Sequence, residues 1–192
     1  LKPDYAEAYN NMGVTLKDKG KLDEAIEAFN KCISLKPDYA EAYNNMGVTL
    51  KDKGKLDEAI EAFNKCISLK PDYAENYSNM GLTFQDQGKM DEAIEAFNKC
   101  ISLKPNYAEN YSNMGLTLHN QGKLDEAIEA YKKATSIKPN YADAFRNMGV
   151  ALKNQGKMDE AIEAYKKAIS LEPNYAEAYS NMGLTLHNQG KL

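Results

Sequence analysis

The chain is poor in the residues that usually carry chemistry: 192 residues contain no tryptophan, two histidines and three cysteines. His119 and His187 fall in a column otherwise filled by Lys17, Lys51, Gln85 and Lys153, the company of a solvated side chain. Neither has a cysteine or carboxylate pattern around it that would build a metal site or a base–nucleophile pair. No serine or cysteine is singled out by a base partner, and no glycine-rich loop is left over to cradle a phosphate. No catalytic residue, metal or cofactor is expected. No apolar run approaches the ~18 residues that a membrane span needs, and no leader pattern opens the chain. A soluble, cytoplasmic location without membrane insertion is therefore expected. With 24 basic against 28 acidic side chains and a net charge of −4, the balance argues against a nucleic-acid surface, where Lys and Arg neutralise phosphates.

Proline is also scarce, and its placement decides the architecture. The six prolines stand at 3, 37, 71, 105, 139 and 173, each gap being 34 residues. Glycine keeps the same step in two columns, Gly13 to Gly183 and Gly20 to Gly190. A fixed period of this size marks a stacked-repeat protein, in which each unit touches its neighbours and no central core forms. Complete repeats are read at 6–39, 40–73, 74–107, 108–141 and 142–175, with partial units at 1–5 and 176–192, all in one array over 1–192. Cys32, Cys66 and Cys100 obey the period and give way to Ala134 and Ala168 in the same column, as small buried apolar residues would. Equivalent points on stacked helices lie roughly 8–10 Å apart, beyond the ~7 Å between Cα atoms that a disulfide tolerates.

One period, residues 38–71, predicts two antiparallel helices. Asp38 is placed as an N-cap, with an acidic residue three positions later as in a capping box. Tyr43, Met46 and Leu50 make one helical stripe. Gly54 fits the left-handed position that ends the first helix. A second helix is expected from about Lys55 to Lys70, with Leu56, Ala59, Ile60, Phe63, Cys66 and Ile67 inward and Pro71 ending it. Gly47 and Ala59 are expected to let the two helices cross closely, a gain that must exceed the ~0.5–1 kcal/mol cost of glycine inside a helix.

The pattern Tyr43-x2-Met46-Gly47-x2-Leu50, then Ala59-x3-Phe63-x2-Cys66 and Pro71, resembles the tetratricopeptide repeat. The resemblance spans the entire chain. It implies an all-α solenoid of stacked antiparallel helix pairs. It further implies a right-handed superhelix whose first helices line a concave groove and whose second helices form the convex back.

The repeats can be compared with one another. Residues 6–39 and 40–73 are identical, and the third repeat departs from the second at Asn76, Ser78, Leu82, Phe84, Gln85, Gln87, Met90 and Asn106. Seven of these eight are placed on the first helix or the turn after it, as a binding surface would show or as exposed positions would drift. One column is invariant: Asn11, Asn45, Asn79, Asn113, Asn147 and Asn181. Mid-helix asparagine is a mediocre helix former, and its amide can grip the backbone of an extended peptide through both donors and an acceptor. The column resembles the asparagine ladder in the tetratricopeptide arm of O-linked N-acetylglucosamine transferases, where such residues hold substrate peptides. An inter-repeat hydrogen bond, or plain duplication, accounts for it equally well. Around the ladder run the columns of Glu41, Val48 and Asp52, giving a mildly acidic, partly apolar lining suited to neutral or basic segments. In the family's chaperone-binding members, lysines and asparagines clamp a terminal carboxylate. Here the first clamp position holds Asn10, Asn44, Ser78, Ser112, Arg146 and Ser180, and the second Val14, Val48 and Leu82, so only Arg146 is suited to a carboxylate.

The expected function is a non-catalytic scaffold that binds a protein or peptide segment in the groove. The alternatives are the substrate-recruiting arm of a larger, glycosyltransferase-like enzyme, or a structural or designed array without ligand. Neither end carries a polar cap. Either the parent chain is longer, or open ends of different copies meet in an end-to-end homo-oligomer.

Overall fold

The computed structural model describes residues 5–190. Their regular structure is all helical: α1 (Ala6–Asp18), α2 (Leu22–Leu35), α3 (Ala40–Asp52), α4 (Leu56–Leu69), α5 (Ala74–Asp86), α6 (Met90–Leu103), α7 (Ala108–Asn120), α8 (Leu124–Ile137), α9 (Ala142–Asn154), α10 (Met158–Leu171) and α11 (Ala176–Asn188). Each period supplies a first and a second helix, and the protein is of the all-α solenoid class.

The turn between the two helices follows the sequence closely. Gly54 adopts φ +81°, its N–H meets the Lys51 carbonyl at 2.8 Å, and the Lys55 N–H meets the Leu50 carbonyl at 2.9 Å. These are the paired bonds of a Schellman motif, which satisfy two carbonyls that the helix end leaves open. The turn between repeats corrects an expectation. α3 begins at Ala40, its N-cap is Tyr39, and no side chain caps it, so Asp38 does not play the part assigned to it. Pro37 holds the second place of a tight turn in which the Tyr39 N–H reaches the Lys36 carbonyl at 3.1 Å. That turn consumes Asp38 before the helix can start. Lys36 ahead of the proline is extended (φ −141°, ψ 83°), which stops α2 one residue short.

Backbone packing divides the chain into two compact units, Leu1–Leu103 and Lys104–Leu192. In the first, α1/α2, α3/α4 and α5/α6 form pairs, joined through α2/α3 and α4/α5. Its first helices also meet one another, α1 with α3 and α3 with α5, whereas the backbones of α2, α4 and α6 stand further apart. The second unit repeats this plan: α7/α8 and α9/α10 pair, α8/α9 and α10/α11 join them, and α7, α9 and α11 meet in turn while the backbones of α8 and α10 stand further apart. Equivalent residues of successive repeats therefore come closest along the first helices.

The glycine inside the first helix of each complete repeat is a seat for an aromatic ring. A Cβ on Gly47 would lie 2.5 Å from Cε1 of Phe63 on the paired helix, and Phe63 is wholly buried. Gly13, Gly81, Gly115 and Gly149 seat Phe29, Phe97, Tyr131 and Tyr165 in the same way. Burying such a ring is worth about 1.5–3 kcal/mol, more than the ~0.5–1 kcal/mol that glycine costs the helix. Ala59 is fully buried as expected, but the close approach is glycine to ring.

Candidate functional site

The asparagine column stands on the first helices, the side where repeats approach most closely. Asn11 is exposed, and Asn45, Asn79, Asn113, Asn147 and Asn181 are half-buried. Five of their backbone carbonyls have a local task, since the threonine hydroxyl one turn later (Thr15, Thr49, Thr83, Thr117, Thr185) donates to them at 2.7–2.9 Å; after Asn147 the position is Ala151. Their side chains reach further. Asn45 Nδ2 donates to Oδ1 of Asn10, and Asn79 Nδ2 to Oδ1 of Asn44, each at 3.1 Å. The acceptors Asn10 and Asn44 are buried. In the first unit, then, the ladder stitches one first helix to the preceding one, which the sequence named as an alternative to gripping a ligand. Each bond uses one of the two amide N–H groups.

In the second unit the acceptor column reads Ser112, Arg146 and Ser180, and polar side chains there join each first helix to the turn that ends its own repeat. Lys138 Nζ donates to Glu109 at 2.7 Å, which holds the Glu109 carboxyl below its ordinary value. Arg146 is engaged within the chain: its Nε donates to the Tyr175 hydroxyl at 2.8 Å and lies 3.5 Å from Glu177. Tyr175 in turn donates to Asp143, and burial together with that bond pushes its hydroxyl up to about 12. Part of the acidic column thus neutralises cations of the protein itself.

Several variable positions read as groove lining are packing residues. Asn76 and Ser78 are buried, and Asn76 Nδ2 donates to the Phe63 carbonyl of the preceding helix at 3.1 Å. Gln87 sits beyond the end of α5 and donates to Asp57 of α4 at 2.9 Å, where Lys53 pairs with Asp23 one repeat earlier. The Lys-to-Gln exchange swaps an ion pair for a hydrogen bond in a conserved tie. Met90 belongs to the second helix. The thiols of Cys32, Cys66 and Cys100 are reduced and buried, and burial pushes Cys66 up to about 11. His187 is exposed, and the His119 ring lies 2.8 Å from the Asn154 amide. Among the described residues no cluster of His, Cys, Asp or Glu could hold a metal ion, and no helix is long and apolar enough to cross a membrane.

A second recurring feature lies between successive second helices, which stand apart over the stripe of the first helix below. Between α2 and α4 the opening is about 320 Å³ and is floored by Tyr43, Met46 and Leu50. Between α4 and α6 it is about 280 Å³, over Tyr77, Met80 and Phe84. In the second unit a cavity of about 730 Å³ spans Phe145, Met148 and Leu152 and continues to Ile162, Lys166 and Leu186.

Comparison with known proteins agrees with this geometry. A model described as TPR repeat matches residues 15–54, 117–156 and 151–190, and models described as tetratricopeptide repeat match 40–73, 74–107 and 96–129. The chain belongs to the tetratricopeptide repeat family. Among solved structures it is similar to MamA, at 34% identity over 90% of this chain and 94% of that one, with TM-score 0.78. YrrB, described as a TPR protein with an unusual peptide-binding site, matches at 26% identity over 93% of this chain and 92% of that one, with TM-score 0.75. The pilF protein of Pseudomonas aeruginosa, at 18% identity over 97% of this chain and 85% of that one, shares the fold with TM-score 0.85. Comparison with curated proteins gave no match.

Proposed function

We propose that the chain is a non-catalytic scaffold that holds an extended peptide or partner segment along its first helices. Asn11, Asn45, Asn79, Asn113, Asn147 and Asn181 grip the peptide backbone, and the guanidinium of Arg146 meets a carboxylate at the rim. The observation that carries this reading is the contact between successive first helices, α1–α3–α5 and α7–α9–α11. It lines up one amide per repeat within each unit, half-buried at every position but Asn11. The stitches at Asn45 and Asn79 orient the amides and leave each a second N–H and the Oδ1 lone pairs. Membership of a family with peptide-binding relatives supports the same reading.

The test is a peptide-array screen followed by titration of the best binder against Asn79→Ala and Asn113→Ala. Loss of one or two backbone hydrogen bonds, at about 1 kcal/mol each, should weaken binding roughly five- to thirtyfold. If thermal stability falls while affinity holds, the ladder serves only to stitch repeats, and the grip is wrong.

A further inference from the structure

The openings between second helices lie on a different face of the first helices from the asparagine column. Asn45 bonds to Asn10 of α1, whereas the next residue, Met46, floors the opening between α2 and α4. Two such openings follow one another in the first unit, about 320 Å³ between α2 and α4 and about 280 Å³ between α4 and α6. Their floors are alike, Tyr43-Met46-Leu50 and Tyr77-Met80-Phe84. Leu50 is buried, but the other five side chains are only half-buried, so packing within the chain leaves them partly uncovered. Methionine, present in both floors, is the side chain that repacks most readily around a guest.

The rims are acidic. The α4 side of the first opening carries Glu58, Glu61 and Lys65, and the α6 side of the second carries Glu92, Glu95 and Lys99. The opposite sides contribute the neutral Ile26 and Asn30, then Ile67. Each rim therefore sets two carboxylates against one ammonium. Glu58 is paired with Lys55 at 2.7 Å, an exposed pair that an incoming cation replaces at little cost. Glu61, Glu92 and Glu95 are exposed and hold no ion pair among the described residues.

We propose that the row α2–α4–α6 is a docking surface for a basic amphipathic helix of a partner protein, separate from the first-helix surface described above. The helix lies across the second helices, with one apolar side chain in each opening and a lysine or arginine one turn further on against the glutamates. The step between openings selects a helix. Stacked helices repeat at roughly 10 Å, and seven residues of α-helix advance about 10.5 Å while returning to the same face. Same-side residues of an extended chain fall about 6.6 or 13 Å apart, and neither matches. The glutamates sit on the far helix of each opening, so their cations belong three or four residues after each apolar anchor.

A second copy does not meet this description. The chain has a net charge of −4, and its own second helices present the glutamates that rim the openings, so two copies would set like charges together. The second unit supplies an internal contrast. Between α8 and α10 the floor is again Phe145, Met148 and Leu152. There Lys132 stands where the first opening has Asn30, and with Lys167 it balances Glu160 and Glu163.

The probe is a labelled alanine-based peptide with two leucines seven residues apart and lysines three and four residues after each leucine. It is titrated into the full chain carrying 13C-methyl methionine, and fluorescence anisotropy gives the affinity. The expected result is saturable binding that shifts the Met46 and Met80 methyls and leaves Met148 in place. Affinity should fall at least roughly tenfold in the protein carrying Glu61→Lys and Glu95→Lys. Both positions are exposed, and an unchanged thermal midpoint separates lost docking from unfolding. The same loss is expected when the two leucines are set five residues apart in a peptide of equal charge. Equal binding by either variant, shifts that miss Met46 and Met80, or no binding at all overturns the proposal. A peptide with a central proline that binds as tightly would mean an extended occupant. Met46 and Met80 shifts that grow with protein concentration in the absence of peptide would mean a second copy, and either result also overturns it.

Discussion

The two compact units use one backbone plan and hold it together with different side chains. In the first unit the second helices carry Phe-Asn-Lys-Cys at 29–32, 63–66 and 97–100; in the second they carry Tyr-Lys-Lys-Ala at 131–134 and 165–168. The ring stays in its glycine seat in both, but the second unit buries a hydroxyl on the ring at Tyr131, whereas the first buries a thiol one helical turn after the ring. The polar side-chain bonds differ in part. Amide-to-amide bonds stitch Asn45 to Asn10 and Asn79 to Asn44 in the first unit. In the second unit Lys138 with Glu109 and the Arg146–Tyr175–Asp143 group join a first helix to the turn ending its own repeat, while Gln155 with Asp125 crosses between repeats as Gln87 with Asp57 does in the first. The turn tyrosines keep one arrangement in both units, Lys138 lying over Tyr141 at 4.5 Å in the second, with Tyr175 as the exception. Lys36 and Lys70 lie over Tyr39 and Tyr73 at 4.8 and 4.7 Å. At Tyr175, where Glu172 replaces the lysine, the cation over the ring is Arg146, at 5.8 Å. What a stack demands is a seated ring and some bond across each step, and several chemistries meet the second demand.

The largest expected effect breaks the equivalence of the glycines. Gly47→Ala should destabilise by about 1–3 kcal/mol, because its methyl overpacks a buried ring. Gly115→Ala should cost less, since the nearest ring atom is at 2.9 Å and not 2.5 Å. Gly183→Ala should stabilise by about 0.5–1 kcal/mol, through helix propensity alone. Urea unfolding of the three variants checks the order, and a loss at Gly183 equal to that at Gly47 would contradict the seat model.

Converting a stitch of the first unit to the residue found in the second comes next. Asn44→Ser removes the acceptor of Asn79 and should cost about 0.5–1.5 kcal/mol, measured by the same unfolding. Asn147→Ala, which has no asparagine one repeat back to lose, should cost less.

The thiols sharpen the comparison through pH. Burial raises the Cys66 value from 9.0 to about 11, so the folded thiol stays protonated while the unfolded one ionises. Its stabilising share is whole below pH 9 and is lost as pH climbs through 11. Unfolding midpoints measured from pH 8 to 11 should fall, and Cys66→Ala, which installs the second unit's residue, should flatten part of that slope.

The smallest effect is expected at the exposed tie: Gln87→Ala should cost roughly 0.2–1 kcal/mol, in the range of exposed polar pairs, and salt should change it little. The matching Lys53→Ala should lose its effect at high salt, since it breaks an ion pair with Asp23.

Much of this was legible before any coordinates. The 34-residue step, the apolar stripe of Tyr43, Met46 and Leu50, and the left-handed Gly54 follow from local chemistry, because helix periodicity and turn conformation depend on near neighbours in the chain. Asp38 was misread for the opposite reason, since a proline turn competed with the cap and only the turn's own hydrogen bond shows which prevailed. The ladder residues were found by recurrence alone, but not their partners. Asn45 could be seen to persist; that it meets Asn10, 35 residues away, depends on how tightly two helices lie. The same is true of Asn76, which reads as a variable surface residue and is wholly buried.

The sequence by itself determined that helices form, where they break and that they repeat, since each of those choices is settled within a few residues by backbone strain and apolar spacing. Only the tertiary structure decided that the inner glycines seat the rings of their paired helices, and which amide bonds to another. Those outcomes depend on distances of a few tenths of an ångström between segments remote in the chain, and identical stretches of sequence meet different neighbours there.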